Sequence, residues 1–585
     1  MPVLLRYVLL LALLLPLTGQ ARDFETWARA LSAQRVQANP QLSTWTQYLP
    51  VAEQVELDRR LTPVTKAYRQ QRVAAARLAL KELAGFDRQT LTAQQKTSAA
   101  AIEWALRREM DGEAYSDHTF VFNQFWGLHV GLVNFLTNAH PIRNARDVDN
   151  YLARLRLVGG QIDSGIAEAK DAARRGFLMP RFITTAVIGQ LDRFLADPAE
   201  KNPLVTSLQT RMKTLADLSE AEQGATADKA RAVVASSVIP AYDRVRELLR
   251  EQLPRTTDDA GLWRLPDGDR AYREALRRFT TTDFTPEQIH DIGLREVVRL
   301  EKAMDGLLRQ IGYDEGSVGQ RMKRLSADLQ PREADPRAAL LARYEEILRD
   351  AEQRARLLFE HTPKAPVIIK REPPMTEKTA AAHYNSPAKD GSSPGIFWMP
   401  LPGPDYRVAE MRSLVYHETV PGHHFQIALQ QENDALPDYR RSGLFRAGSA
   451  FVEGWALYAE YIAAESGWYE GDARGLLGQM DLELWRAKRL VVDTGLHAMR
   501  WTRQQAIDYG ITPSEVDRYV SIPGQACSYK IGMLRILELR TRAQQALGGK
   551  FSLKKFHTLV LQTGDVPLAV LEQVVNDWVA DQAKG

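Results

Sequence analysis

The sequence has 585 residues, with 76 Lys and Arg against 73 Asp and Glu, a net charge of +3 and one cysteine, Cys527. Hydrophobic residues at 44% and charged residues at 25% are ordinary globular proportions, which excludes a chain disordered throughout. So small a net charge excludes a polyelectrolyte surface for nucleic acid, and one cysteine excludes an intramolecular disulfide and any cysteine-rich zinc module.

Near the start of the sequence Arg6 is followed by an apolar run from Tyr7 to Leu17, and then by Thr18-Gly19-Gln20-Ala21. A basic start, a short apolar core and small residues at −3 and −1 predict a signal peptide over 1–21, cleaved after Ala21. The run is short for a membrane span, and no cysteine lies near the cut to carry a lipid. The protein is therefore expected to be exported, periplasmic or secreted, with no stable membrane anchor after cleavage.

Residues 22–255 read as an N-terminal helical region. Apolar residues recur at three- and four-residue spacing over 64–84, 91–111 and 145–175, punctuated by Gly159-Gly160, Pro180, Pro203 and Pro240. The polar stretch 253–268 marks a boundary before a C-terminal helical region over 256–585, or a loop within one continuous domain. Strand signals are confined to 366–371 (PVIIKR) and 393–401 (SPGIFWMPL), both bounded by Pro or Gly. The expected fold is mainly α, with many helices and a small β-sheet.

The chemically informative stretch is YHETVPGHHFQ, residues 416–426. His417-Glu418 followed by His423-His424 gathers imidazole and carboxylate groups suited to zinc. A carboxylate beside a ligand, but not itself bound, can act as general base on water. The spacing is not H-E-x-x-H, where i and i+4 share a helical face. On an ideal helix residue i+6 lies about 120° from His417, and i+7 lies about 10.5 Å further along the axis. A shared metal therefore requires the helix to depart from ideal form. Pro421-Gly422 can cause this, because proline deletes an N–H and glycine admits unusual dihedrals. A bulge there would bring His423, or alternatively His424, toward His417. Thirty residues beyond His423, Glu453 stands in an otherwise apolar helix start, FVEGWALYAEYIAAE, and a buried carboxylate needs a partner. A metal is the strongest candidate, while Glu460 and Glu465 read as supporting or solvent residues.

These residues resemble the H-E-x-x-P-G-H motif of the bacterial family DUF885. YNSPAKDGSSPGIFWMP, FVEGWALYAE, RLVVDTGLHAMRWTRQQAIDY, PGQACSYKIG and TPEQIHDIGLREVVRL extend the resemblance over about residues 265–580. The family is similar to gluzincin metallopeptidases, and EGWALYAEY looks like their N-E-G-F-A segment. The resemblance implies a gluzincin-like architecture with one Zn²⁺ per chain. It makes His417, His423 and Glu453 the ligands and Glu418 the base. Manganese or cobalt could fill the same ligand set.

Peptide hydrolysis also needs a donor to the oxyanion. Tyr529 in PGQACSYK and His497 in DTGLHAMRW are the candidates. Lys530, Arg486, Arg489 and Arg500 are candidates for a substrate carboxylate, and the SPGIF strand could pair with an extended peptide. The expected activity is zinc-dependent hydrolysis of oligopeptides. The alternatives are an amidase on a non-peptide or cell-wall amide, and a non-catalytic helical binding protein.

Overall fold

Apolar stripes with polar caps give the N-terminal half its helices. Lys66–Leu83, Ala93–Glu113 and Ala145–Arg174 begin behind Thr65, Thr92 and Asn144, whose side chains accept from the backbone N–H three residues on. In the longest, Val148, Leu152, Leu155 and Ile162 are buried on one face. The computed structural model describes residues 23–373, 377, 380–389, 391 and 393–584, so the expected signal peptide lies outside the described residues.

The N-terminal helices do not close a core among themselves. Leu155, Ile162, Val187 and Val245 share a buried cluster with Val492, Leu496 and Tyr519 from the far end of the chain. Trp27 and Ile102 likewise pack with Tyr439 and Phe445. The polar stretch at 253–268 forms two short 3-10 turns, Leu253–Arg255 and Leu262–Arg264. It is pinned by its few apolar residues: Ala260, Leu262 and Leu265 are buried, and Trp263 Nε1 donates to Leu496 O at 3.1 Å.

A single sheet of the described residues holds β1 (Val367–Arg371), β2 (His383–Asn385) and β3 (Gly395–Met399) in the order β1-β3-β2. β1 runs parallel to β3 with Val367 opposite Gly395, and β2 runs antiparallel with His383 opposite Trp398. β3 is the SPGIF strand, and it is paired on both sides. Its backbone donors and acceptors are thus taken by β1 and β2, which corrects the expectation that it adds a peptide strand at a free edge.

The C-terminal half is built around the helix Ala473–His497, which lies along Pro286–Gln310 and meets Met411–Glu418 and Ala450–Glu465. Ser528–Leu547 crosses Ala450–Glu465 closely because both carry glycine at the crossing. A Cβ on Gly454 would stand 2.6 Å from the Gly532 Cα, and one on Gly532 would overlap the Ala450 carbonyl oxygen. Tyr416, Phe451, Trp455, Leu482, Met533 and Ile536 fill the core between these helices. Cys527 is fully buried. None of the described helices is long and apolar enough to cross a membrane.

Candidate metal centre

The motif helix Met411–Glu418 stops at Glu418, and a second helix, His423–Glu432, starts at His423. Between them Thr419 leaves helical geometry at φ −120°, ψ −99°, and the Val420–Pro421 bond is cis. The Thr419 N–H donates to Val415 O at 2.8 Å, closing the first helix. Gly422 is required by close approach, since a Cβ there would overlap the His417 and Tyr416 carbonyl oxygens. Trp455 Nε1, fully buried, donates to Pro421 O at 2.8 Å and fastens the break to the Ala450–Glu465 helix. The departure from ideal helix is thus a complete break rather than a bulge.

The break turns His423 onto His417. Their rings are 4.7 Å apart and nearly perpendicular at 81°. Glu453 Oε2 lies 3.6 Å from His417 Nε2 and 3.4 Å from His423 Nε2, and one ligand atom from each residue lies within 4.8 Å of the other two. These separations are long for hydrogen bonds. A tetrahedral zinc with bonds near 2.1 Å separates its ligands by about 3.4 Å, so the two His–Glu separations suit ligands of one zinc ion better than hydrogen bonds.

Glu460 sets the tautomer of His417. The two are 2.7 Å apart through His417 Nδ1, and Ser413 Oγ donates to the other Glu460 oxygen. With a proton held on Nδ1 by Glu460, Nε2 is the nitrogen left for a metal, the usual support for a metal-binding histidine. The field here favours a cation. Burial opposes charge on His417, but Glu453 and Glu460 outweigh it and push the imidazole up to about 9. Glu418 is also buried, and burial holds its carboxyl above the ordinary range against the pull of His417 and His423. His424 faces the sheet: Nδ1 meets Tyr384 Oη and Nε2 meets Ala365 O, each at 3.0 Å. His423 is therefore the second histidine of the cluster.

The other predicted groups divide. Tyr529, half-buried, lies within electrostatic reach of Glu453, and a 2.7 Å bond between Ser449 and Ser528 ties its helix to the glutamate helix. His497 is not brought to the cluster as a free donor. Its Nδ1 accepts from the Leu262 N–H and its Nε2 donates to Tyr519 O, both at 3.1 Å. Burial pulls it down to about 4, so it is a neutral packing residue. Lys530 is fully buried between Glu483 at 2.6 Å and Glu296 at 2.9 Å, a structural ion pair that leaves no charge for substrate. Arg500 is exposed, over the Trp263 ring at 5.3 Å. Arg486 Nη2 lies 3.7 Å from Glu460 and so balances charge behind His417. Glu465 pairs with Arg540 at 2.7 Å.

Ser413 and Trp455 are the site residues that sequence reasoning missed. A signal existed for Ser413, which lies one helical turn before His417 and so shares its face. Glu460, seven residues after Glu453, shares that residue's face two turns on.

Fold and site together define a mainly helical protein with a buried two-histidine, one-glutamate candidate metal centre. The chain belongs to the DUF885 family, bacterial proteins of unknown function, whose profile matches residues 44–575. No curated protein matches it. A solved structure of a candidate lipoprotein from Colwellia psychrerythraea is 30% identical, with a TM-score of 0.88, covering 96% of this chain and 100% of that one. A candidate lipoprotein of unknown function from Shewanella oneidensis shares the fold at 18% identity, with a TM-score of 0.70, covering 94% and 99%.

Proposed function

We propose that the protein is an exported, zinc-dependent hydrolase that cleaves peptide bonds in oligopeptides. The observation that carries this reading is the convergence of His417 Nε2 and His423 Nε2 on a Glu453 oxygen, at 3.6 and 3.4 Å, with one ligand atom of each of the three residues within 4.8 Å of the others, next to Glu418. Zinc held by these three would supply a Lewis acid that lowers the pKa of water and polarises a carbonyl. Glu418 takes the proton of the attacking water and returns it to the leaving amine, a role suited to a carboxyl raised by burial. The Tyr529 hydroxyl donates to the oxyanion. Glu460 keeps the proton of His417 on Nδ1 throughout. The likeness to gluzincin peptidases belongs to the same proposal and rests on these residues. Export is supported by the leader-like start of the sequence and by the lipoprotein description of the 30% identical structural relative.

The test is a peptide-library digest followed by mass spectrometry, with protein stripped by chelator and then reloaded with zinc. Cleavage that disappears on stripping and returns with zinc is expected. A zinc-loaded, folded protein that cleaves no peptide would contradict the proposal.

A further inference from the structure

Among the basic residues near the centre, Arg489 stands apart in its unused donors. Its guanidinium is buried, 3.9 Å from the Trp485 ring and 4.7 Å from the Tyr529 ring, and Nη2 donates to Glu515 at 3.1 Å. Nε and Nη1 are buried with no hydrogen-bond partner. Buried donors are normally paired and costly to leave unmade, and here two sit on one charged group only 4% exposed.

The local charge is unbalanced in the same sense. Arg518 donates to both oxygens of Glu515, at 3.1 and 2.9 Å, so two guanidiniums share one carboxylate. Asp493 lies within electrostatic range of Arg518, but its oxygens accept from Tyr272 and the Gly524 N–H. A buried positive excess with free, planar N–H groups is suited to a second carboxylate.

Position connects this group to the metal centre. Arg489 lies one turn beyond Arg486, which reaches Glu460, and the Tyr529 ring is 4.7 Å from Arg489 and within electrostatic reach of Glu453. On its other side Arg518 lies 5.9 Å from the ring of Phe125, which is 41% exposed beside Trp126 at 61%. Pairwise contacts thus connect Tyr529, Arg489, Glu515 and Arg518 to exposed aromatic side chains contributed by the N-terminal half.

We infer that Arg489, supported by Arg518, is a subsite for a peptide carboxylate next to the metal centre. The inference rests on the hydrolase reading for its substrate and makes that substrate a peptide presenting a carboxylate there. The carboxylate is either the chain's C-terminus or an acidic side chain.

The test is calorimetric binding to chelator-treated protein, so that no metal competes for the carboxylate. The probes are Ala-Ala-Ala, its C-terminal amide, and the amide of Ala-Glu-Ala. At least about tenfold tighter binding of a carboxylate-bearing probe than of Ala-Ala-Ala amide is expected, and Arg489→Met should remove the difference. Preference for free Ala-Ala-Ala over its amide assigns the C-terminus, and preference for the Ala-Glu-Ala amide over the Ala-Ala-Ala amide assigns a side chain. Equal binding of Ala-Ala-Ala, its amide and the Ala-Glu-Ala amide by wild type overturns the subsite, whether or not the variant folds. Loss of discrimination with zinc-dependent cleavage intact would remove the subsite alone. Discrimination in a protein that binds no zinc and cleaves nothing would remove the hydrolase reading alone.

Discussion

Each half of the molecule buries a cluster of histidine and charged side chains, and the two are built on opposite rules. In the N-terminal half Arg154 is fully buried and saturated: Nε donates to Arg60 O at 2.8 Å, Nη1 meets His140 Nδ1 at 2.7 Å and Nη2 donates to Thr44 Oγ1 at 2.7 Å. His140 completes the knot by donating from Nε2 to Asp147 O at 3.0 Å. In the C-terminal half the Nε2 atoms of His417 and His423 face Glu453 at distances that make no good hydrogen bond. Arg154 and His140 are fully buried, while His423 and Glu453 keep a little exposure, so burial alone does not explain the difference in pairing. What separates a structural knot from a candidate site is whether the polar atoms find their partners within the protein.

The largest effect expected on this comparison is at the base. Glu418→Gln should lower peptide hydrolysis by about 10²–10⁴-fold while zinc content stays unchanged, read by steady-state kinetics beside metal analysis. Full activity in a zinc-loaded variant would remove Glu418 from the mechanism. Next comes the knot. Arg154→Met strands Asp58, 3.5 Å away, and should cost about 3 kcal/mol of stability in urea unfolding, without changing zinc affinity per folded molecule. Loss of zinc with no loss of stability would invert the roles assigned to the two halves. A smaller change is expected at Glu460→Gln, which keeps size but weakens the hold on His417 Nδ1. Zinc affinity should fall about 10–100-fold, measured by competition with a chromophoric chelator.

The smallest effect is acid sensitivity of the packing histidines. Burial pulls His129 and His497 down to about 4 and His140 to about 3. Unfolded histidine binds its proton near 6.5, so the unfolded chain takes up more protons below that pH. Stability from these groups is full above about 6.5 and is lost as pH falls toward 4, by about 1–2 kcal/mol per histidine at pH 5. Chelator-treated protein unfolded in urea at pH 7 and pH 5 gives the readout. Burial raises the carboxyls of Asp493 and Glu410 to about 7 and that of Asp565 to about 6, and these gain stability as pH falls over the same span. Wild type is therefore compared with His129→Phe, and equal loss between pH 7 and pH 5 in both would contradict the neutral, buried assignment.

Much of the fold was legible because local rules set it. Helices at 66–83, 93–113 and 145–174 follow from apolar periodicity and capping residues. β1 and β3 follow from apolar runs bounded by Pro and Gly. β2, only His383–Asn385, has no β-branched residue and exists because β3 offers it an edge. His417, Glu418 and Glu453 were legible as chemistry in apolar surroundings. The choice of His423 over His424 was not, because it depends on how the chain turns at Pro421-Gly422 and on Tyr384 across the sheet. His497 and Lys530 misled for one reason. Each is a polar group whose partner lies far off in sequence: Leu262, 235 residues away, for the first and Glu483, 47 away, for the second.

One cluster is expected to be completed by a metal, whereas the other is completed by the protein itself. The most direct test is metal content by mass spectrometry on wild type, His417→Ala and His140→Phe, purified without chelator or nickel affinity. One zinc per chain is expected in wild type and in folded His140→Phe, and none in folded His417→Ala. A folded wild type without metal, or zinc retained in His417→Ala, would contradict it.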